Sequence, residues 1–317
     1  MRIAITGATG FIGSYLVRGM AREGHQVRAL VRKGRESALQ PLPTGTPGAP
    51  LEVHVGDLTD PASLAGFLDD CDLLLHVASA HEHLGQEEMQ RVNIKGTEAL
   101  LSEAKRRAPK HFNIWVISSA AITVPGYSYY RDSKRVQEKI IRGSGIDWAS
   151  FRPTLVYGVG DTRHTAPLLR RCAQQGGTLW VPHHGLARVN PVHVEDVVDA
   201  VIRFFGFERG IDCVYELAGP AGIPYNEFID LTIAAAGGKI RRRNVPKKVV
   251  DSYIFLKGLF TDVTEARRAS TYFNLHHEHD ISNALHELDW KPRPYAQGIR
   301  EVAQAGNGDW WRRAAPE

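Results

Sequence analysis

Short apolar strand patterns alternate with longer helical patterns through the first half of this 317-residue chain. Runs such as Ile3–Thr6, Gln26–Val31 and Asn113–Ser118 are each followed by a stretch with helical periodicity. Repeated strand-helix alternation is typical of a parallel sheet covered by helices on both faces. It therefore predicts a doubly wound α/β fold. Further strands are predicted over Leu51–Val55, Leu73–Val77 and Asp147–Phe151, and helices over residues 11–23, 61–69, 85–107 and 128–143.

The second half of the chain is less regular. A helix pattern follows Pro191–Val194 and reaches about Phe205, Val214–Leu217 is a strand candidate, and Tyr225–Ala236 is a predicted helix. In doubly wound folds, ligands bind beyond the C-terminal ends of the strands, where such an appended part would lie. We therefore predict a sheet domain over residues 1–158 and about 190–218, and a smaller C-terminal substrate-binding region over about 159–189 and 219–317.

Three glycines follow the first strand at the spacing Gly-x-x-Gly-x-x-Gly, in the segment Gly7-Ala8-Thr9-Gly10-Phe11-Ile12-Gly13. A glycine-rich turn that opens a helix lets backbone N–H groups approach a pyrophosphate, which the helix dipole also favours. The last glycine lets the helix pack closely on the strand. A plain turn is the alternative, but the strand before it and the amphipathic helix after it favour a dinucleotide site.

This glycine pattern, with Thr6 before it, resembles the short-chain dehydrogenase/reductase superfamily, in particular its extended and atypical members of the NAD-dependent epimerase/dehydratase type. The resemblance covers nearly the whole chain and implies a Rossmann-type cofactor domain. It also implies that Asp57 contacts the adenine, that Asn93 ties its helix to the sheet, and that the backbone of residues 153–155 holds the nicotinamide amide. The predicted cofactor-binding residues are Gly7, Thr9, Gly10, Phe11, Ile12, Gly13, Arg32, Lys33, Asp57, Leu58, Ala78, Ser79, Ser118, Tyr130, Lys134, Pro153, Thr154 and Leu155.

The end of the second strand distinguishes NAD from NADP. NAD enzymes usually place an acidic side chain there to bind the ribose hydroxyls. This chain instead has Val31 followed by Arg32 and Lys33. A carboxylate would repel a 2′-phosphate, whereas an arginine binds it through charge-assisted hydrogen bonds. A solvated basic loop is the alternative, but the missing acid and the two adjacent cations together favour NADP.

Tyr130 and Lys134 stand four residues apart on a predicted helix, and therefore on one face of it. Reduction of a ketone leaves a developing alkoxide that a phenol can protonate. Free tyrosine has a pKa near 10, and a nearby ammonium group lowers it. We predict that Tyr130 is the proton donor and that Lys134 lowers its pKa. The resemblance adds that the lysine holds the nicotinamide ribose.

The segment Ser118-Ser119-Ala120-Ala121 closes the fifth predicted strand. It resembles the superfamily's Ser-Ser-Ala-Ala, which implies that Ser119 hydrogen-bonds the substrate oxygen, with Ser118 and Thr123 as alternates. A serine that only satisfies backbone groups is the other interpretation. The candidate substrate contacts are His81, Ser119, Tyr127, Tyr129 and Arg188, and packing on the sheet is the alternative for the two tyrosines.

Several histidines and basic residues invite other functions. The groups at residues 81–83, 183–184 and 276–279 lack the two-histidine helical spacing with a third ligand that zinc enzymes show, so we predict no metal site. We interpret the basic run at residues 241–248 as a solvated face, with contact to an acidic substrate as the alternative. Trp310 and Trp311 either fold back on the body of the protein or mark an interface.

Composition narrows the class of protein further. A net charge of +4 over this length does not favour nucleic acid as a partner. We find no apolar run of about 18–20 residues that could span a membrane and no signal peptide, and the three cysteines show no close pairing. We therefore expect a cytoplasmic protein with neither a nucleic-acid nor a membrane partner. The resemblance allows a homodimer through the Tyr130 helix and leaves the oligomeric state open.

Together these features predict an NADP-dependent oxidoreductase: a ketone or aldehyde reductase, or the reverse alcohol dehydrogenase, acting on a small carbonyl or alcohol through Ser119, Tyr130 and Lys134. A nucleotide-sugar epimerase or 4-ketoreductase is the alternative with the same fold and triad. The resemblance argues against a dehydratase, because Ala120 and Ala121 stand where dehydratases have an acidic pair. A non-catalytic NADP-binding regulatory or assembly protein is the alternative of another class, and the tyrosine-lysine pair argues against it.

Overall fold

The computed structural model describes residues 1–39, 51–107, 111–125, 128–206, 212–261, 263, 270 and 275–313. The chain forms two compact units. The first comprises Met1–Pro153, Val197–Leu217 and Ser282–Trp290, and the second comprises Thr154–Asp196, Ala218–Ile281 and Lys291–Glu317. Residues 154–158 and 190–196 thus belong to the second unit and residues 282–290 to the first, unlike in the predicted division.

The described strands and helices alternate through the first unit and are shorter and more mixed in the second. The strands are β1 Arg2–Thr6, β2 Gln26–Val31, β3 Glu52–Val55, β4 Leu73–His76, β5 Asn113–Ile117, β6 Asp147–Pro153, β7 Val156–Tyr157, β8 Thr178–Pro182, β9 Arg188–Val189, β10 Val192–His193, β11 Cys213–Leu217, β12 Ile223–Pro224 and β13 Arg241–Val245. The α-helices are α1 Phe11–Arg22, α2 Gly85–Met89, α3 Gly96–Arg107, α4 Tyr129–Arg142, α5 Thr165–Cys172, α6 Val194–Phe204, α7 Tyr225–Ala236, α8 Lys247–Gly258, α9 Ser282–Glu287, α10 Tyr295–Gln304 and α11 Asp309–Arg313.

The first unit is built on a seven-stranded parallel sheet in the order β11-β6-β5-β4-β1-β2-β3. The strand order reverses between β1 and β4, and in doubly wound sheets the ligand crevice lies at that reversal. β1 and β4 are in register from Ile3 opposite Leu73 to Thr6 opposite His76. The predicted doubly wound α/β fold is confirmed.

Helices cover the middle of the sheet, where the strands are apolar on both faces. Ile3, Ala4 and Ile5 of β1 are all fully buried. On one face α1 and α6 pack so closely against each other that a Cβ atom on Gly19 of α1 would lie 2.6 Å from Cγ1 of Val198 on α6. On the other face Leu74, Ile114 and Val116 pack in a core cluster with side chains of the helical segments, among them Leu64, Leu100, Leu101, Ala104 and Ile141.

The helix predicted over residues 61–69 is wrong. The structure has only a 3-10 turn over Pro61–Leu64, with Asp60 as its N-cap, accepting a hydrogen bond from the N–H of Ala62 at 3.2 Å. Gly66 has a φ of +80°, in the left-handed region that ends a helix. The N-cap and proline signals were therefore valid, but the glycine stops the helix after one turn.

The predicted helix over residues 85–107 is present and contains an irregularity. α2 runs into a π-helical turn over Gln90–Lys95, which continues directly into α3. The hydrogen bonds of a π turn close over five residues instead of four, so one residue is accommodated in excess. Asn93 lies in this turn and is fully buried.

Among its described residues, the second unit holds three two-stranded sheets, β7 with β10, β8 with β13, and β9 with β12. Its core includes Leu169 on α5, Phe228 on α7 and Ile299 on α10. The C-terminal tryptophans fold back on this unit: Trp311 is buried and its Nε1 donates to O of Ala303 at 2.9 Å. In the part of the chain that the structure describes, no helix combines the length and apolarity needed to cross a bilayer.

Candidate active site

The glycine-rich segment after β1 forms a turn in which two positions accept only glycine. Gly7 has a φ of +68°, and a Cβ atom there would lie 2.8 Å from the backbone N of Ala78. A Cβ atom on Gly13 would lie 2.0 Å from the carbonyl oxygen of Gly7. Either side chain would push the turn, α1 and the loop after β4 apart. These glycines therefore hold α1 directly against the end of β1.

The N-terminus of α1 suits an anion. Gly10 is the N-cap residue, so no side chain caps the helix, and the first turn contains no acidic residue. The N–H groups of a first helical turn have no partner within the helix, and the helix dipole places partial positive charge beside them. A pyrophosphate fits this cradle, because backbone donors face it and a Cβ atom would obstruct the turn that holds them.

Arg32 and Lys33 follow β2 as an exposed pair. The N–H of Arg35 donates to the carbonyl oxygen of Arg32 at 2.9 Å, closing a turn in which Gly34 has a φ of +77°. The turn thus gathers three cations, and none of them forms a salt bridge with another residue of the described part of the chain. Arg35 was not predicted. The glycine between Lys33 and Arg35 was the available signal, because it marks a turn.

Asp57 follows β3 and is half-buried. Its Oδ1 accepts hydrogen bonds from the N–H and the hydroxyl of Thr59 at 2.8 and 2.9 Å. These bonds fix the carboxylate in place. The neighbouring Leu58 is buried and packs under Gly96, where a Cβ atom would lie 2.9 Å from that of the leucine.

Tyr130 lies in the first turn of α4. Ser128 is the N-cap residue, and its Oγ accepts from the N–H of Arg131 at 3.1 Å. The phenol ring is half-buried, and the imidazole of His81 stacks on it with a centroid separation of 4.9 Å and an interplanar angle of 15°. The structure thus brings the candidate substrate contact His81 to Tyr130. Tyr129 precedes it on the same helix, half-buried, and Tyr127 lies outside the described residues.

Lys134 lies one helical turn after Tyr130 and is only 1% exposed. Its Nζ donates to the carbonyl oxygen of Ile117 at 2.9 Å and to Oε1 of Gln137 at 2.5 Å. Burial lowers the pKa of Lys134 from 10.5 to about 7, against the smaller opposing effect of Glu138. An ammonium group has three N–H donors, so these two bonds leave one for a ligand.

Gln137 connects Lys134 to a buried polar network that the sequence did not predict. Its Nε2 lies 3.0 Å from Nε2 of His76 and donates to Oγ1 of Thr97 at 3.1 Å. The other imidazole nitrogen, Nδ1, lies 2.7 Å from Oγ1 of Thr6, the residue before the glycine-rich turn. Burial, and secondarily the charge of Lys134, lowers the pKa of His76 to about 3, so this imidazole stays neutral.

Asn93 ties the loop after β4 to α4. Its Oδ1 accepts from the N–H of Ala80 at 2.7 Å, and its Nδ2 donates to the carbonyl oxygen of Ala80 at 3.0 Å. Nδ2 also lies 2.9 Å from Oγ of Ser133, which in turn donates to the carbonyl oxygen of Tyr130. The loop with Ala78 and Ser79 and the helix with Tyr130 are therefore held to one another through a single amide.

Ser119 lies at the end of β5 as N-cap of the 3-10 turn Ala120–Thr123, and its Oγ accepts from the N–H of Ala121 at 3.2 Å. The capping bond uses the oxygen as acceptor only, so the hydroxyl proton remains able to donate. Arg135 of α4 donates to the carbonyl oxygen of Ile122 at 2.7 Å and holds this turn against the helix. Ser118 is buried, and its N–H donates to the carbonyl oxygen of Phe151 at 2.7 Å.

Beside Lys134, α4 carries a buried ion pair. The carboxylate of Glu138 is bound by NH2 and Nε of Arg152 at 2.5 and 3.1 Å and by Oγ of Ser150 at 2.8 Å. Burial alone would raise the pKa of Glu138, but these hydrogen bonds outweigh it and hold the pKa below its usual value. The pair joins α4 to β6 across the described core of the first unit.

The remaining predicted residues lie at or beyond the end of β6. Pro153 ends the first segment of the first unit, and Thr154 and Leu155 begin the second unit. In that unit the hydroxyl of Thr154 donates to the carbonyl oxygen of Asn190 at 2.6 Å. Arg188 lies on β9, where its Nε pairs with Glu278 at 2.6 Å and its NH2 donates to the carbonyl oxygen of Gly222.

No three His, Cys, Asp or Glu side chains converge on a common point among the residues that the structure describes. His193, at the end of β10, is buried and its Nδ1 accepts from the N–H of Glu195 at 3.2 Å. This bond caps the start of α6.

The chain resembles known proteins in both sequence and fold. The model of the NAD dependent epimerase/dehydratase family matches residues 3–218. The chain is similar to a ceramide reductase of Caulobacter vibrioides, with 30% identity over 98% of this chain and 95% of that protein. It is also similar to the ketoreductase sphI of Aspergillus fumigatus, with 26% identity over 95% of this chain and 96% of that protein.

Among solved structures, the chain resembles the UDP-glucose 4-epimerase of Thermotoga maritima, solved with UDP-glucose. The TM-score is 0.72, with 18% identity over 96% of this chain and 98% of the epimerase. A likeness at this level of identity supports the fold, and the choice among activities depends on the side chains of the site.

Proposed function

The chain belongs to the NAD dependent epimerase/dehydratase family, and from this premise we propose that it is an NADP-dependent reductase of ketones or aldehydes. The predicted resemblance to extended short-chain dehydrogenases/reductases is confirmed, and the similar proteins identify an enzyme of reductase or epimerase type. The observation that carries the proposal is the position of Lys134. It is a buried ammonium group one turn after Tyr130, and two of its three N–H groups are bonded, so that the third can bind a ligand.

The bound nicotinamide would supply the hydride. The hydroxyl of Ser119 donates a hydrogen bond to the carbonyl oxygen of the substrate and polarises it. The phenol of Tyr130 donates its proton to that oxygen as negative charge develops on it. Lys134 stabilises the resulting phenolate by its charge and uses its remaining N–H to hold the nicotinamide ribose.

Arg32, Lys33 and Arg35 support NADP as the cofactor. Their turn offers three exposed cations after β2, at the position where NAD enzymes usually carry an acid. A phosphate on the ribose would be bound there by charge-assisted hydrogen bonds, each about 1.5–3 kcal/mol. NAD has two hydroxyls on this ribose and no phosphate, so it would form none of these charge-assisted hydrogen bonds.

The side chains after Ser119 argue against a dehydratase, because Ala120 and Ala121 offer no acid or base. Arg188 is already engaged by Glu278 and Gly222, which disfavours its use as a grip for a sugar nucleotide. By their names, the similar ceramide reductase acts on ceramide and the similar ketoreductase acts on a ketone. We therefore place long-chain ketones first among the candidate substrates.

The proposal is tested by measuring oxidation of NADPH and NADH with a panel of long-chain ketones, aryl ketones, aldehydes and keto-sugar nucleotides. We expect turnover with NADPH and a ketone, and a loss of the preference for NADPH by about ten-fold or more in Arg32→Ala/Lys33→Ala. Arg22→Ala, an exposed arginine at the end of α1, is the matched control. A wild-type preference for NADH, or activity confined to sugar nucleotides, would contradict the proposal.

A further inference from the structure

Helix α8 presents a continuous apolar face to solvent. Val249, Tyr253, Leu256 and Phe260 follow one another at intervals of four, three and four residues, which places them on one face of the helix. Their exposed fractions lie between 55% and 86%. Phe260 is just beyond the last residue of α8, but its N–H still donates to the carbonyl oxygen of Lys257, so the helical path continues to it. Exposed apolar residues in such a row mark an interaction surface.

The opposite side of α8 is anchored within the second unit. Ile254 is buried, and Asp251 accepts hydrogen bonds from Lys247 at 2.5 Å and from Ser270 at 3.5 Å. The hydroxyl of Ser270 lies 2.8 Å from Nε2 of His183. The apolar face is therefore directed outward by contacts on the inner side of the helix.

Positive charge flanks this apolar face. On one edge of the face lies Lys257, one helical turn after Tyr253. On the other edge lies Lys248, and the exposed Phe255 and Leu259, seven and eleven residues after it, are on the same side of the helix. Within residues 247–261 the single acidic residue is Asp251, on the inner side. Neither Lys248 nor Lys257 forms a salt bridge with any residue of the described part of the chain.

The strand that precedes α8, β13, also places positive charge beside an exposed apolar side chain. Arg241 and Arg243 alternate with Arg242 on β13, and of the three only Arg242 forms a salt bridge with a residue that the structure describes, Asp230. Arg243 is directly opposite Trp180 of β8 in a parallel register, so the two side chains share a face with Arg241. Trp180 is 63% exposed. An exposed tryptophan beside two arginines that form no salt bridge within the described ranges repeats the combination found on α8.

We propose that the outward face of α8 binds the surface of a membrane that contains anionic phospholipids. Leucine, tyrosine and phenylalanine beside lysines are the composition of helices that lie in the membrane interface, where the apolar face enters the acyl boundary and the lysines reach the headgroups. From the absence of a spanning segment we predicted no membrane partner, but an interfacial helix needs no spanning length. A second copy fits less well, because pairing two such faces would bring their lysines together.

The proposal does not depend on the reductase activity and is tested by sedimentation of the full chain with vesicles. We expect binding to vesicles of phosphatidylcholine with phosphatidylglycerol, weaker binding to phosphatidylcholine alone, and a loss of binding in high salt. Leu256→Glu/Phe260→Glu removes the apolar contact. Lys248→Gln/Lys257→Gln should weaken binding roughly thirty-fold, since each lysine near an anionic surface contributes about five-fold.

Leu285→Glu, an exposed leucine on α9, is the matched control and should bind as the wild type does. Oxidation of NADPH with a water-soluble ketone should be unchanged in all three variants, which separates failure of this proposal from failure of the proposed function. No binding to either vesicle, or equal binding by Leu256→Glu/Phe260→Glu, overturns it. So does a concentration-dependent dimer that the same double variant abolishes, because the face would then hold a second copy.

Discussion

Lys134 donates a hydrogen bond of 2.5 Å from Nζ to Oε1 of Gln137, one turn further along α4, and both side chains are withdrawn from water. The lysine is thereby held in an interior that disfavours its charge, with an amide oxygen and the carbonyl oxygen of Ile117 as its partners. The proposed mechanism needs that charge. Its proton is therefore held weakly at the point where the chemistry uses it.

Replacement of Lys134 by Met should flatten the dependence of stability on pH. Because the pKa of Lys134 is 10.5 unfolded and about 7 folded, the unfolded chain binds more protons between these values. The free energy of unfolding of the cofactor-free wild type should therefore rise with pH from about 7 toward 10, by at most about 1.4 kcal/mol per pH unit from this group. Urea unfolding at several pH values measures the slope. An equal slope in the variant would contradict the lowered pKa.

Gln137→Leu should lower the pKa of Lys134 further, because the charged form loses a hydrogen bond while its burial remains. The fall in kcat/KM at high pH, where the lysine loses its proton, should then begin at lower pH. Gln137→Glu should move it to higher pH, since a carboxylate favours the ammonium. Opposite shifts in these two variants distinguish an effect on Lys134 from general damage to the core, which would move both in one direction.

Tyr130→Phe should reduce kcat by about 10²–10⁴-fold while cofactor binding changes little, because it removes one proton donor and leaves the ring stacked on His81. Tyr129→Phe is the matched control on the same turn and should retain most of its activity. Steady-state kinetics with titration of NADPH fluorescence measures both. Activity in Tyr130→Phe equal to that of Tyr129→Phe would remove the proposed proton donor.

Gly13→Ala should abolish tight cofactor binding and destabilise the chain by about 1–3 kcal/mol, because its Cβ would meet the carbonyl oxygen of Gly7 at 2.0 Å. Gly176→Ala is the control: its Cβ would meet nothing within 4 Å. Thermal unfolding and cofactor titration measure the two effects. A Gly13→Ala protein with normal affinity would show that the turn can relax.

Glu138→Gln should cost about 3 kcal/mol of unfolding free energy, because it removes the closer of the two carboxylates that pair with the half-buried Arg152 and leaves only Glu216, at 3.5 Å. The side chains of Glu138 and Arg152 are 3% and 16% exposed. Glu88→Gln, whose pair with Arg91 lies at the surface, should cost less than about 1 kcal/mol. Denaturant unfolding compares the two variants, and an equal loss of unfolding free energy would contradict a stabilising role for the pair between Glu138 and Arg152.

Most of the first unit was predictable from local patterns. β2 has the predicted bounds, and β1, β4 and β5 differ from prediction by one residue, because a short apolar run between turn signals has few alternatives. α7 likewise spans the predicted residues. The helix predicted after Asp60 is reduced to one turn, because Gly66 with its positive φ ends it despite favourable residues at its start. The π turn in the following helix has no periodic signal of its own.

The sequence predicted those site residues whose positions follow from their spacing along one helix or turn, such as Tyr130 and Lys134. Gln137 shares that face, three residues after Lys134, but its role depends on His76 of β4, which tertiary packing alone brings to it. The outward face of α8 escaped prediction for a related reason. An apolar helix face usually lies against the core, and only the structure shows that this one does not.

The π turn at Gln90–Lys95 accommodates one residue more than an α-helix of the same rise would hold. Deleting a residue there would restore regular hydrogen bonding and leave the rotation of α2 relative to α3 nearly unchanged, but it would remove the widened turn that sets the position of Asn93. Asn93 could then no longer reach both Ala80 and Ser133. A shorter and more regular helix would thus detach the loop after β4 from α4, so single-residue deletions in this turn should inactivate a protein that still folds.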